Sequence, residues 1–309
     1  MAKIVGIGAN VFDTLYTVES YPAEDTKMRA NSVKECGGGP CATGLVAASK
    51  LGADCAFIGN YTNDSAGTFL TQDFLKYGVS TDYMTLKEGY SSFCSVLWLA
   101  KDSASRTCVF YKGNVPPTEI DETSAKAIAD AEILMIDGND IDAAIKGTKI
   151  ARENGTKVLY DAGGLYEGVE NLLSYTDILI PSEEFAIGHT KEDTAEKAAI
   201  KLMEMYNPEI VVVTQGKKGG IIYDGKEVLH YPAFLVDAVD SNGSGDVFHG
   251  AFAFSVTKGY NYYKCCVFSS AASALKCTKI GARESVPTFD ETIEFLKERG
   301  IDEFEKDLD

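Results

Sequence analysis

Short apolar runs alternate with longer stretches of helical periodicity along most of this chain. Lys3–Gly8 (KIVGIG), Cys55–Gly59, Ile133–Ile136, Lys157–Tyr160, Ile178–Ile180 and Ile210–Thr214 are apolar runs too short for helices. Such runs predict strands buried on both faces. Between them, Ala42–Leu51, Gly67–Tyr77, Ile141–Asn154, Ala195–Tyr206 and Asp246–Lys258 repeat their apolar residues at helical spacing, which predicts helices with one covered stripe. Strand and helix in alternation give a mostly parallel sheet with helices on both faces.

Two segments break the rhythm. Asp13–Cys36 reads as β structure with a turn around Pro22–Asp25, and Tyr90–Lys112 reads as a hairpin, SSFCSVLWLA and RTCVFY flanking the polar turn Lys101–Ser105. Together they predict a small accessory sheet. Placed over the C-terminal ends of the core strands, where open α/β sheets bind ligands, it would act as a lid.

Composition narrows the function classes. With 309 residues, 45% hydrophobic and 24% charged, the chain has enough apolar material for a large core. No linker or repeat divides it, so residues 1–309 read as a single domain with lid segments at about 13–36 and 90–112. A formal charge of −17 argues against nucleic acid or an anionic membrane as partner. The cysteines form no CxxC pair and have no His partners at metal spacing, so most are expected to be small buried thiols. The N-terminus lacks the pattern of a signal peptide, and no apolar run reaches ~18 residues, so a reducing cytoplasm is the expected location.

The densest chemistry lies in Asp240–Gly250, DSNGSGDVFHG. Gly243, Ser244 and Gly245 form a bare loop that opens a helix, whose N–H groups and dipole favour an anion. Asp246 stands in the first turn beside that anion site. A carboxylate there suits phosphoryl transfer to an alcohol, taking the acceptor's proton while the loop holds phosphoryl oxygens. Capping alone would not call for two glycines, because Ser241 and Asn242 already precede the loop.

This segment resembles the C-terminal signature of ribokinase-like (PfkB) carbohydrate kinases, D-T-x-G-A-G-D-x-F, with Ser244 in place of Ala. The resemblance implies a ribokinase-like α/β fold, ATP and Mg2+ as co-substrate and cofactor, Asp246 as catalytic base, and Gly243, Ser244 and Gly245 as the anion hole. Gly37-Gly38-Gly39-Pro40-Cys41-Ala42-Thr43-Gly44 resembles the family's sugar-binding G-G-x-x-x-N-x-A segment, which implies sugar contacts from Gly38, Gly39 and Thr43, the last at the Asn position. Asp13 matches the carboxylate that binds sugar hydroxyls. Thr214-Gln215-Gly216-Lys217-Lys218-Gly219 resembles the turn along the ATP phosphates, implying nucleotide contacts from Thr214, Gly216 and Gly219. Where the family often has N-x-x-E near hydrated Mg2+, this chain has Ser182 at the Asn position and Phe185 at the Glu position, leaving Glu183 or Glu184 to serve through water. Ala271–Pro287 resembles the final helix and adenine-covering turn. There the resemblance implies a monovalent cation such as K+ held at Asp240, Asn242, Gly281 and Ser285, with Lys276 close by.

Over its whole length the chain is similar to the branch containing sulfofructose kinases, through GGGPCAT, VTQG, DVFHGA and ALKCTKIGAR. Lys27 matches a lid lysine that helps hold the substrate's anionic end. Phe110 and Asn139 stand where that branch has a polar residue and an Arg, which favours an uncharged or differently charged ketose or polyol over the sulfonated sugar. A homodimer joined through the lids is also expected, because a small sheet leaves an edge and an apolar face to be covered.

Two other enzyme classes fail on the residues. Gly6-Ile7-Gly8-Ala9-Asn10-Val11 lacks the third glycine of a dinucleotide fingerprint and leads into a strand instead of a helix. No G-x-x-x-x-G-K-[ST] occurs anywhere. A non-catalytic sugar- or nucleotide-binding protein on the same fold is the remaining alternative.

Overall fold

The computed structural model describes residues 3–103, 105–164 and 168–304. In chain order its strands are β1 (Ile4–Ile7), β2 (Val11–Val18), β3 (Ser32–Gly38), β4 (Cys55–Thr62), β5 (Val79–Lys87), β6 (Cys94–Ala100), β7 (Ser105–Tyr111), β8 (Ile133–Ile136), β9 (Lys157–Ala162), β10 (Ile178–Pro181), β11 (Ile210–Thr214), β12 (Gly220–Tyr223) and β13 (Val228–Tyr231). The helices are α1 (Pro40–Leu51), α2 (Ser65–Lys76), α3 (Glu122–Ala129), α4 (Ile141–Asn154), α5 (Glu170–Leu173), α6 (Glu183–Thr190), α7 (Ala195–Tyr206), α8 (Ser244–Thr257), α9 (Tyr262–Lys276) and α10 (Phe289–Lys297).

Nine strands form one sheet in the order β13-β12-β11-β10-β9-β8-β1-β4-β5, parallel from β5 to β11 and antiparallel in the last hairpin. The alternation of side chains along each strand divides the core in two. Ile4, Met135, Leu159, Ile180 and Val212 pack on one face against α1, α8 and α9. Val5, Ile136, Val158, Leu179 and Val213 pack on the other against α4 and α7. Both faces are apolar, as the unbroken sequence runs require.

The expected helices form, with small shifts at their ends. Helix α1 begins at Pro40, two residues ahead of the predicted start, because proline loses nothing by lacking an N–H in a first turn. Helices α4 and α7 match their predicted bounds and are capped by the side chains of Asp140 and Thr194. Five of the eight cysteines, Cys36, Cys41, Cys55, Cys265 and Cys266, are buried, and Cys108 is exposed on β7.

The second sheet has the order β3-β2-β6-β7, with β2 and β6 parallel and the outer pairs antiparallel. Its own small core is Leu15, Cys36 and Leu97, with Leu99 packed against them. Residues between Val18 and Ser32 form a long loop that contains the predicted turn, at Glu24 and Asp25. Strand β2 leaves the C-terminal end of β1, and β3 runs directly into α1, so this sheet stands where the core strands end. A cleft of about 450 Å³ opens there, lined by Ala9, Asn10, Thr62, Phe93, Lys112 and Asn139 among others. Among the described residues, no helix is long and apolar enough to cross a membrane.

Candidate active site

Two helix N-termini converge at the C-terminal ends of the core strands. Helix α1 starts beside the end of β1, where Ala42 N donates to Ala9 O at 3.3 Å. Helix α8 lies against α1 and the two approach closely at Gly44 and Gly250, where neither position has room for a methyl group. The two N-terminal ends therefore share one site.

The loop into α8 turns through Gly243, whose φ of 78° is left-handed and whose missing side chain lets Ala282 approach. Asp246 is half-buried in the first turn, and burial raises its pKa, with His249 and Arg106 opposing that rise. Ser244 N donates to Ser241 O at 3.2 Å, closing the turn between Gly243 and Gly245.

Asp13 faces inward from β2 with Val11 and Leu15, following the period of the strand. Ser95 Oγ donates to its Oδ1 at 2.5 Å, and burial raises its pKa to about 6. Gly38 lies so close to the Asp13 carboxylate that a side chain there would run into it. Thr43 is fully buried in α1, and its hydroxyl has no hydrogen-bond partner among the described residues.

The remaining sugar-side candidates lie around the cleft. Asn139 lines it and receives Lys112 Nζ on its carbonyl at 2.8 Å. Phe110 is 64% exposed on β7 and packs on Phe93, a cleft residue, with ring centroids 5.8 Å apart. Lys27 is exposed in the loop between β2 and β3. The cleft borders the site from the β4 and β8 side and does not include Asp246 or Asp13 among its lining residues.

On the opposite flank, Thr214 pairs with Ser182 in a single parallel bridge, joining the ends of β10 and β11. Ser182 Oγ accepts from Phe185 N at 3.1 Å and so caps α6, and Gln215 Nε2 donates to Glu183 Oε1 at 2.7 Å. Gly216 and Gly219 bracket a short 3-10 turn. No group of three or more His, Cys, Asp or Glu side chains that could hold a metal occurs among the described residues. A lone carboxylate such as Glu183 fits a strongly hydrated Mg2+, which is held mainly by water and phosphate.

Several residues of this site carry no motif. Asp137, at the end of β8, is buried and accepts from Ala9 N at 2.8 Å, Cys41 N at 3.0 Å and Asn139 N at 2.9 Å, tying three loops together. Asp161, at the end of β9, has its pKa raised to about 7 by burial, against the pull of His249. His249 is one turn beyond Asp246. Its Nδ1 is 2.7 Å from Gly245 O and 3.2 Å from Asp161 Oδ2, and its Nε2 is 3.0 Å from Ile180 O. Each ring nitrogen thus faces a carbonyl, and Nδ1 also faces the Asp161 carboxylate, so His249 ties the Gly245 peptide to the ends of β9 and β10. Arg106 of β7 reaches the same loop, donating to Asn242 Oδ1 at 3.0 Å. The usable sequence signal was a buried apolar run ending in Asp, at Ile136-Asp137 and again at Tyr160-Asp161.

Residues 1–289 match the family model described as pfkB family carbohydrate kinase. The chain is 29% identical over 269 residues to a ribokinase of Haemophilus influenzae, covering 84% of this chain and 87% of that one. It is 26% identical to the ketohexokinase of Mus musculus, covering 89% of this chain and 96% of that one. A solved structure of a protein assigned as a ribokinase, from Agrobacterium tumefaciens, superposes with a TM-score of 0.90 at 26% identity, covering 96% of this chain and 98% of the other.

Proposed function

Because the chain belongs to the pfkB family of carbohydrate kinases, we propose that it transfers the γ-phosphoryl group of ATP to a hydroxyl of a small sugar, a ketose, pentose or related polyol, with Asp246 as general base. The observation that carries this reading is the convergence of the α1 and α8 N-termini with Asp246 in the first turn of one and Gly38 beside Asp13 at the head of the other. Asp13 accepts hydrogen bonds from sugar hydroxyls. Asp246 takes the proton of the attacking hydroxyl, and the N–H groups of Gly243 and Gly245 hold oxygens of the transferring group. ATP lies along Thr214–Gly219, and Mg2+, when bound, neutralises charge on the phosphates, with Glu183 contributing through water. A coupled ADP-release screen over ketoses, aldoses, polyols, nucleosides and sugar acids tests the substrate class. Turnover confined to nucleosides or sugar acids overturns this reading of the substrate, and no turnover with any of them favours a non-catalytic binder.

Asp13→Asn is expected to weaken sugar binding by at least tenfold, about the loss of one charge-assisted hydrogen bond, while leaving ATP affinity intact. Calorimetry with each ligand separates the two. In the wild type, sugar affinity should fall as pH drops through about 6, where Asp13 gains its proton. The sign for folding is opposite. A carboxylate whose folded pKa is raised adds stability as pH falls from 6 toward its ordinary value, so weakened binding there cannot be blamed on Asp13 loosening the fold. The same pH profile in wild type and Asp13→Asn would remove Asp13 from the sugar site.

The second sheet serves as the lid. Its outer strand β7 is exposed along its whole length, including Val109 at 60%, Phe110 at 64% and Tyr111 at 60%. An apolar edge of this kind invites pairing, and a homodimer joined through the lids would cover it. Sedimentation at micromolar concentration checks this, with a monomer as the contrary result.

A further inference from the structure

A monovalent cation is expected at the junction of Asp240, Asn242, Gly281 and Ser285, and the residues present do not fit one. Lys276, at the end of α9, is completely buried, and its Nζ donates to the Asp240 carbonyl at 2.7 Å while standing 3.8 Å from the Asp240 carboxylate. Gly281 N and Asn242 N donate to the two carboxylate oxygens at 2.9 and 2.8 Å. Ser285 Oγ donates to Gly281 O, so these two expected ligands satisfy each other. Three more carbonyls of the turn accept from lysine side chains of this chain. Lys34 Nζ donates to Ile280 O at 3.4 Å, and Lys50 Nζ reaches Arg283 O at 3.5 Å and Glu284 O at 3.0 Å.

We infer that the ammonium group of Lys276 is a built-in replacement for the monovalent cation, so that this kinase holds its nucleotide-side turn together without K+. The physical reason is charge and space. A second cation at Asp240 O would stand within contact distance of a buried ammonium ion, and burial leaves that repulsion poorly screened. The ammonium also does what a bound ion would do: it ties the loop leading into α8 to the end of α9, next to the turn 280–285. Being covalent, it needs no ion from solution.

The test uses the intact protein and reads binding and stability as well as turnover. Wild-type thermal midpoint and ATP affinity are expected to be the same in KCl, NaCl and choline chloride at equal ionic strength. Crystals soaked in Rb+ or Tl+ are expected to show no anomalous peak at Asp240 O. A peak there, or a K+-specific rise in midpoint or affinity, overturns the inference. In Lys276→Met, which keeps most of the side-chain volume, ATP affinity should fall by roughly tenfold or more, as when a buried carboxylate loses its cation. K+ should restore part of the loss. A Lys276→Met protein that binds ATP like the wild type in choline chloride also overturns it, and should the variant fail to fold, the wild-type ion series and soaks decide alone. These readouts do not depend on which sugar is phosphorylated, so a failure of the substrate reading would leave them untouched.

Discussion

Asp246→Asn is expected to lower turnover by a factor of ~100 to 10,000, the usual range for losing a general base, with the fold and ATP affinity preserved. The amide matches the carboxylate in size, so the first turn of α8 keeps its packing. Stability should not fall, because the change removes a buried negative charge from a site that also holds Asp137 and Asp161. The pH dependence carries a second signature. Burial holds the Asp246 carboxyl above the ordinary range, and only its ionised form accepts a proton, so wild-type turnover should rise with pH through that shifted value. The rise should vanish in the variant. Single-turnover kinetics checks both points, and near-wild-type turnover would remove Asp246 from the base role.

Arg283→Met is expected to destabilise the protein by ~3 to 5 kcal/mol, the range for breaking a buried ion pair from one side. The guanidinium is 1% exposed, donates to Asp73 Oδ2 at 2.8 Å, Asn10 Oδ1 at 2.8 Å and Gly38 O at 2.6 Å, and lies over the ring of Phe74. Its loss strands a carboxylate, an amide and a carbonyl in the interior. Urea denaturation reads the change. Adding Asp73→Leu should recover part of the loss, since the orphaned charge goes with it, and an unchanged midpoint in Arg283→Met alone would show that this network contributes little. Sugar affinity should drop with it, because Gly38 lies against Asp13, the carboxylate proposed to bind sugar hydroxyls.

These two residues mark the boundary of what a single sequence conveys. Asp246 was legible because its meaning is local: two glycines and an Asp at fixed spacing open a helix. The alternating core strands and the lid hairpin were legible for the same reason, each being a pattern within a few residues. Arg283 finds its partners 210, 245 and 273 residues away, and no local pattern announces such contacts. His249 and Asp161, 88 positions apart in the chain, likewise become a pair only when α8 lands on the end of β9. Strand β5 was missed for a different reason. It lies at the edge of the sheet, half-exposed and mostly polar, and its pairing with β4 shifts register between Ala56 and Ile58, so neither an apolar run nor a clean alternation betrays it.

The second sheet has a core of its own in Leu15, Cys36 and Leu97, separate from the two clusters that pack the nine-stranded sheet. Its apolar packing is therefore separate from that of the body that carries Asp246 and the α8 loop, to which polar contacts join it. In evolutionary terms this is modularity: the segment that would close on the sugar can drift or be exchanged while the phosphoryl-transfer machinery stays fixed. A chimera carrying residues 11–36 and 90–112 of the mouse ketohexokinase's counterpart segments should therefore fold, and should shift its sugar preference before it loses its ability to use ATP.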